Sequence, residues 1–138
     1  MNDWNSQIID EFRANGGKVG GAFQGVNLLL LHSTGAKSGQ ARVHPLAYQD
    51  AGNDVAVFAS AAGAPKNPAW YHNVVANPDV TVEIGGHTLP MRARVAEGGE
   101  RDRIWQRQKE LAPAFADYEA KTSRTIPVII LQPVGWSG

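Results

Sequence analysis

The four consecutive leucines Leu28–Leu31 constrain this chain most. A membrane span needs roughly eighteen or more apolar residues, so this run, of strand length, reads as a buried strand. It ends at Ser33-Thr34-Gly35, and after Lys37-Ser38-Gly39 the strand-like pattern resumes at Arg42. One buried strand therefore feeds a small cationic turn and then a second strand. A glycine-bounded turn of this kind presents several backbone N–H groups into one concavity, and Lys37 and Arg42 add charge suited to phosphate or carboxylate. No Asp or Glu occurs from Phe12 to Gln49, whereas Arg13, Lys18, Lys37 and Arg42 all fall in that window. Taken alone, the turn reads first as a solvated hairpin with ordinary surface cations and only second as an anion site. It is not a Walker P-loop, because Ala36 stands where that motif needs glycine before its lysine and a strand follows where it needs a helix.

With 138 residues the chain is long enough for one domain to bury a core unaided. A formal net charge of zero removes a uniformly basic surface, so no nucleic-acid partner is expected. The absence of cysteine excludes disulfides, thiolate nucleophiles and cysteine-ligated metals. The opening MNDWNSQIIDEFRANGG has no long apolar core of the signal-peptide type, and a cytoplasmic protein is expected.

Residues 3–15 carry Trp4, Ile8, Ile9 and Phe12 at helical spacing. The polar face holds Asp3, Asp10 and Glu11 against one Arg13, which favours packing on the domain's own sheet over contact with a membrane surface. Gly16 to Gly25 holds five of the fifteen glycines and forms a pliable lead-in. Val43–Gln49 and Asp54–Ser60 predict two further strands around the turn Asp50–Asp54. The small-residue loop Ala61–Pro68 then leads into a helix over Ala69–Ala76; the loop is either a plain connector or a place where ligand meets helix N–H groups. Val80–Ile84, Gly85-Gly86 and His87–Val95 form the strongest hairpin signal in the chain. Gly98–Leu111 predicts a helix, Pro113 a break with a short helical continuation, and Ile126–Leu131 a last buried strand. About six mostly antiparallel strands with flanking helices give an α+β fold, a small barrel.

The histidines His32, His44, His72 and His87 show no metal-ligand spacing, and no GxSxG elbow or flanking carboxylate pair is present. Ser33, Ser38, Ser60 and Lys37 leave a Ser/Lys hydrolase as a remote option. If the chain is an enzyme, a bound cofactor carries the reaction. Three segments in order, TGAKSGQARVHPL (Thr34–Leu46), ASAAGAPKNPAWYHNVVANP (Ala59–Pro78) and FADYEAKTSRTIPVIIL (Phe115–Leu131), resemble the deazaflavin-dependent nitroreductase family. These are F420-dependent reductases typical of actinobacteria. The resemblance implies an FMN-binding split-barrel-like fold, one domain over 1–138 in which 1–26 is the N-terminal helix and lead-in and 27–133 the cofactor-binding barrel.

It implies coenzyme F420, an 8-hydroxy-5-deazaflavin, with FMN as the alternative. Its phosphate and polyglutamate tail are expected on Lys37, Ser38, Gly39 and Arg42. Pro45 and Phe58, Ala59, Ser60, Ala61, Ala62 and Gly63 are expected along the ring, and Trp70 and Asn73 are expected to close the pocket. Ser60 and Tyr118 are the expected catalytic residues, facing the reacting ring and the substrate. The implied reaction is hydride transfer from reduced F420 to a small electron-poor acceptor, a quinone, an activated enone or a nitroaromatic. A non-catalytic deazaflavin carrier is the reading from another class. Where many relatives carry Lys, Ala61 stands here, and Lys66 is a candidate replacement. Near Ala112 and Phe115 some relatives place tyrosines, so phenols are thinned to Tyr118 and nitroimidazole activation is not expected. A homodimer is compatible with the resemblance.

Overall fold

The computed structural model describes residues 3–15, with side chains from Gln7, together with 28–60 and 63–134. The lead-in Gly16–Gly25, the side chain of Trp4, and Ala61 and Ala62 lie outside the described residues. The elements are α1 (Asp3–Ala14), β1 (Leu28–Thr34), β2 (Ala41–Ala51), β3 (Asp54–Phe58), α2 (Ala69–Ala76), β4 (Asp79–Ile84), β5 (His87–Val95), α3 (Gly98–Leu111), α4 (Ala114–Lys121) and β6 (Val128–Pro133). The strands close into a barrel in the order β1-β2-β3-β6-β5-β4, and every neighbouring pair is antiparallel.

Alternation along each strand divides the side chains between two environments. Leu29, Leu31, Val55, Val57, Val80, Val82, Met91, Ala93, Ile129 and Leu131 fill the barrel interior, and Trp70 and Val74 of α2 join the same cluster. A small barrel has no lumen; its side chains are its core. The opposite faces of β1, β3 and β6 are buried too, which is why the leucine run shows no polar alternation. Leu28 and Leu30 pack against Ile8 and Phe12 of α1, with Val43 and Ala47 alongside. Ala56, Phe58, Val128 and Ile130 pack against Trp105 of α3, with Phe115 and Tyr118 of α4 at the margin.

The apolar stripe of α1 is thus buried on the barrel, each buried Ile or Phe side chain contributing about 1.5–3 kcal/mol. Its position is fixed by a fork from Arg13, whose Nε and Nη2 donate to Glu83 at 3.1 and 2.7 Å, while His32 Nε2 lies 2.5 Å from the same carboxylate. On the other side, Gln49 Nε2 donates to Ile104 O and Gln108 Oε1 and ties α3 to β2. Among the described residues no helix is long and apolar enough to cross a membrane.

Several boundaries differ from the sequence expectation: β2 runs over Ala41–Ala51 instead of Val43–Gln49, and β3 stops at Phe58 instead of Ser60. The last strand begins at Val128 instead of Ile126, because Pro127 has no N–H for the ladder and offers only its carbonyl, which accepts from Ala59 N at 3.0 Å. Beyond Pro113 the chain forms a separate helix, α4, joined to α3 through Glu119, which accepts from Trp105 Nε1 and Lys109 Nζ.

Candidate functional site

A groove of about 410 Å³ lies between the turn after β1 and the flank of α2, lined by the turn residues 35–38 with Arg42, His44, Ala69, His72 and Asn73. The turn is locked by its own backbone: Gly35 N donates to Gln40 O at 2.8 Å and Gly39 N to Gly35 O at 3.0 Å. Gly39 takes φ +70°, the left-handed conformation that other residues adopt only under strain. A β-carbon at Gly35 would stand 2.5 Å from Ser38 Oγ, which accepts from Gln40 N. Asn73, buried on α2, brackets the turn from the other wall. Its Oδ1 accepts from Ala36 N at 3.0 Å and its Nδ2 donates to Ser33 Oγ at 3.5 Å.

Lys37 and Arg42 reach this groove with no ion-pair partner among the described residues, and no carboxylate lines it. The acid-free window in the sequence therefore becomes an acid-free surface. Alternation along β2 places Arg42 and His44 on the face that continues into the barrel at Leu46 and Tyr48. Burial, and then the field of Arg42, push the His44 imidazole below its ordinary range. Its Nδ1 is buried without a hydrogen-bond partner among the described residues.

A second set of predicted residues gathers where β3 gives way to α2. The Ser60 carbonyl accepts from Gly63 N at 2.9 Å and from Arg124 Nη2 at 2.9 Å. Arg124 Nε also donates to Ala64 O at 3.0 Å, and Nη1 to Asn67 Oδ1 at 2.7 Å. One guanidinium therefore holds the carbonyls of Ser60 and Ala64 and the amide of Asn67. Gly63, at φ +84°, lies so close to α4 that a β-carbon would stand 2.8 Å from the Tyr118 backbone oxygen. This brings Ser60, Gly63 and the backbone of Tyr118 into one neighbourhood, and through Asn67 the clamp reaches the segment just before α2.

Other predicted residues stand elsewhere. Trp70 is buried in the barrel interior. Pro45 alternates onto the β2 face that carries Val43 and Ala47 against α1. Phe58 points outward into a ring cluster with Trp105 at 5.9 Å and Phe115 at 5.6 Å, whereas Ala59 points into the barrel. The Tyr118 ring meets Phe115 edge-on at 5.2 Å at the margin of that cluster. Lys66 is exposed. Three residues of these two sites are not foreseen by the sequence reading: Arg124, His44 and His72. His44 is within reach of it, since residues two apart on a strand share a face and Arg42 is marked by its charge. Arg124 gives no signal, because two of its three partners are backbone carbonyls that carry no sequence signature.

The fold and groove define a class: a small closed antiparallel barrel bearing a cationic cleft with no carboxylate among its lining residues. Comparison with known proteins specifies which. The F420H(2)-dependent quinone reductase family profile matches residues 4–133. A curated F420H(2)-dependent quinone reductase of Mycobacterium tuberculosis is 38% identical over 124 residues, covering 87% of this chain and 83% of that protein. Among solved structures, an F420-H2 dependent reductase superposes with a TM-score of 0.70 at 44% identity, over 77% of this chain and 94% of the other. A protein described as a domain-swapped dimer gives a TM-score of 0.72 at 39% identity, over 94% and 98% of the two chains. The chain belongs to the F420H(2)-dependent quinone reductase family and is an F420-dependent oxidoreductase of split-barrel fold. The groove suits that cofactor: two free cations, bare glycine backbone and an unsatisfied imidazole nitrogen match a tail of phosphodiester and carboxylates.

Proposed function

We propose that the groove beneath Lys37, Ser38, Gly39 and Arg42 holds the phosphate and acidic tail of F420, with the ring extending toward Ser60, Gly63 and Tyr118. The observation that carries this assignment is the pair of unpaired cations in a cleft free of carboxylates. When bound, the deazaflavin supplies a two-electron hydride. The protein's part is positioning. The turn, braced by Asn73, offers preformed contacts, and the Arg124 clamp fixes the backbone around Ser60 so that little ordering remains to be done on binding. In this reading Ser60 Oγ and the Tyr118 hydroxyl steady charge or deliver a proton to the acceptor.

A quinone is the acceptor class that suits the site. Phe115 has no hydroxyl and packs in the aromatic cluster, so Tyr118 is the one phenol on α4, which disfavours nitroimidazole activation relative to quinone or enone reduction. We further propose a cytoplasmic enzyme acting as a homodimer, the latter in line with the relative described as a domain-swapped dimer. Light scattering after size exclusion tests the dimer, and cell fractionation the location.

Replacing both Lys37 and Arg42 by Ala tests the cofactor assignment. Each charge-assisted contact is worth about 1.5–3 kcal/mol, so F420 binding should weaken well over tenfold while the circular dichroism spectrum is retained. A folded double variant with unchanged affinity contradicts the assignment.

A further inference from the structure

We propose that His44 is a proton-linked anion contact of the groove: its imidazole takes up a proton from solvent as the phosphodiester-bearing cofactor binds, and then donates a hydrogen bond to it. The inference rests on the cofactor assignment above and adds to it a residue, a protonation state and a pH dependence.

His44 Nδ1 is buried and has no partner among the described residues, although buried ring nitrogens ordinarily find one. The imidazole lines the groove two residues from Arg42, on the same face of β2. Among the described residues no carboxylate lines the groove with it. Arg42 lies on its own strand, Lys37 on the turn and His72 on α2. Across the ladder β1 opposes it with Leu31, and further along β2 the same face carries Leu46 and Tyr48. Glu83 on β4 is engaged by Arg13 and His32. Nothing in the free groove stabilises an imidazolium, and burial beside Arg42 opposes it.

An anion in the groove reverses both conditions. It offsets the field of Arg42 and supplies the acceptor that a ring N–H lacks. Binding must then raise the imidazole's proton affinity, and by linkage protonation must raise the affinity for the anion. The sign follows: the free groove holds the histidine's pKa down and the occupied groove lifts it, so affinity increases as pH falls through the window between the two. A phosphodiester stays ionised throughout that window, so the proton taken up is not its own, and the comparison with variants at position 44 isolates the contribution of His44.

Fluorescence titrations of oxidised F420 into the wild-type protein, His44→Asn and His44→Gln, from about pH 8 to about pH 5.5, read the linkage. Up to ~tenfold in affinity per pH unit is available to one linked proton. The ratio of wild-type to variant affinity should grow at least ~threefold toward the acid end. Groups that titrate on F420 itself are common to all three proteins and cancel in the ratio. A ratio constant with pH, with F420 still bound by the wild type, overturns the role of His44 and leaves the cofactor assignment standing. Failure of the wild type to bind F420 overturns both. Should neither variant fold, the imidazole resonance of His44, assigned in the wild-type protein, reads the same linkage. Its titration midpoint must rise on adding F420, and an unmoved midpoint overturns the proposal.

Discussion

At the scale of single residues, two positions decide whether the site is preorganised. Arg124 joins the end of the chain to the loop after β3 through three hydrogen bonds. Arg124→Met keeps much of the side-chain length and removes the donors. It should cost about 2 kcal/mol of stability in urea unfolding and lower kcat/KM for quinone more than tenfold, because the loop bearing Ser60 loses its brace. Gly63 combines a positive φ with a β-carbon position 2.8 Å from a backbone oxygen of α4. Gly63→Ala should therefore cost about 1–3 kcal/mol, read by thermal melting, with α4 displaced. One of these two positions is legible in the sequence and the other is not. A glycine in a small-residue loop before a helix advertises close approach, which marks Gly63. A half-buried arginine whose targets are mainly carbonyls advertises nothing, and Arg124 is of that kind.

At the scale of elements, α1 is attached by charge as well as by apolar contact. The hydrogen-bonded fork from Arg13 is the chief cause, with His32 assisting against the burial penalty, that brings the Glu83 carboxyl down to about 2 from an ordinary 4.5. A depressed carboxyl stabilises the folded state above its unfolded pKa, and that contribution fades as pH falls toward the folded value. Glu83→Gln should thus be less stable than the wild type by about 1 kcal/mol near neutral pH, with the gap narrowing from about pH 4.5 down to about pH 2, as followed by urea midpoints. The helix itself is legible from Ile8, Ile9 and Phe12. Its anchor is not, since Arg13 and Glu83 lie 70 residues apart and only barrel closure through the β1–β4 ladder brings them together. The start of β6 escapes for a different reason: apolar character runs unbroken from Ile126, and the missing N–H of Pro127, not hydrophobicity, sets where the ladder begins.

At the scale of the whole molecule, the barrel is legible because its strands are short, its turns glycine-marked and its connections too brief for parallel crossovers. What no pattern in one sequence reveals is which end of the barrel α2 closes. That fact moves Trp70 from the expected pocket wall to the barrel core. Trp70→Ala should cost about 3–5 kcal/mol, whereas Trp70→Phe, which keeps an aromatic plug, should shift F420 affinity less than about threefold. Parallel chemical denaturation and binding curves separate the two effects. The same closure sets α2 against the cationic turn and so makes the groove proposed above for the cofactor. The measurement that bears on it most directly is a fluorescence titration of the purified protein with oxidised F420, run beside FMN in the same buffer. Saturable binding of F420 with FMN weak or silent is the predicted result. Saturable FMN binding with no response to F420 would leave the barrel intact and contradict the assignment of the groove to the deazaflavin.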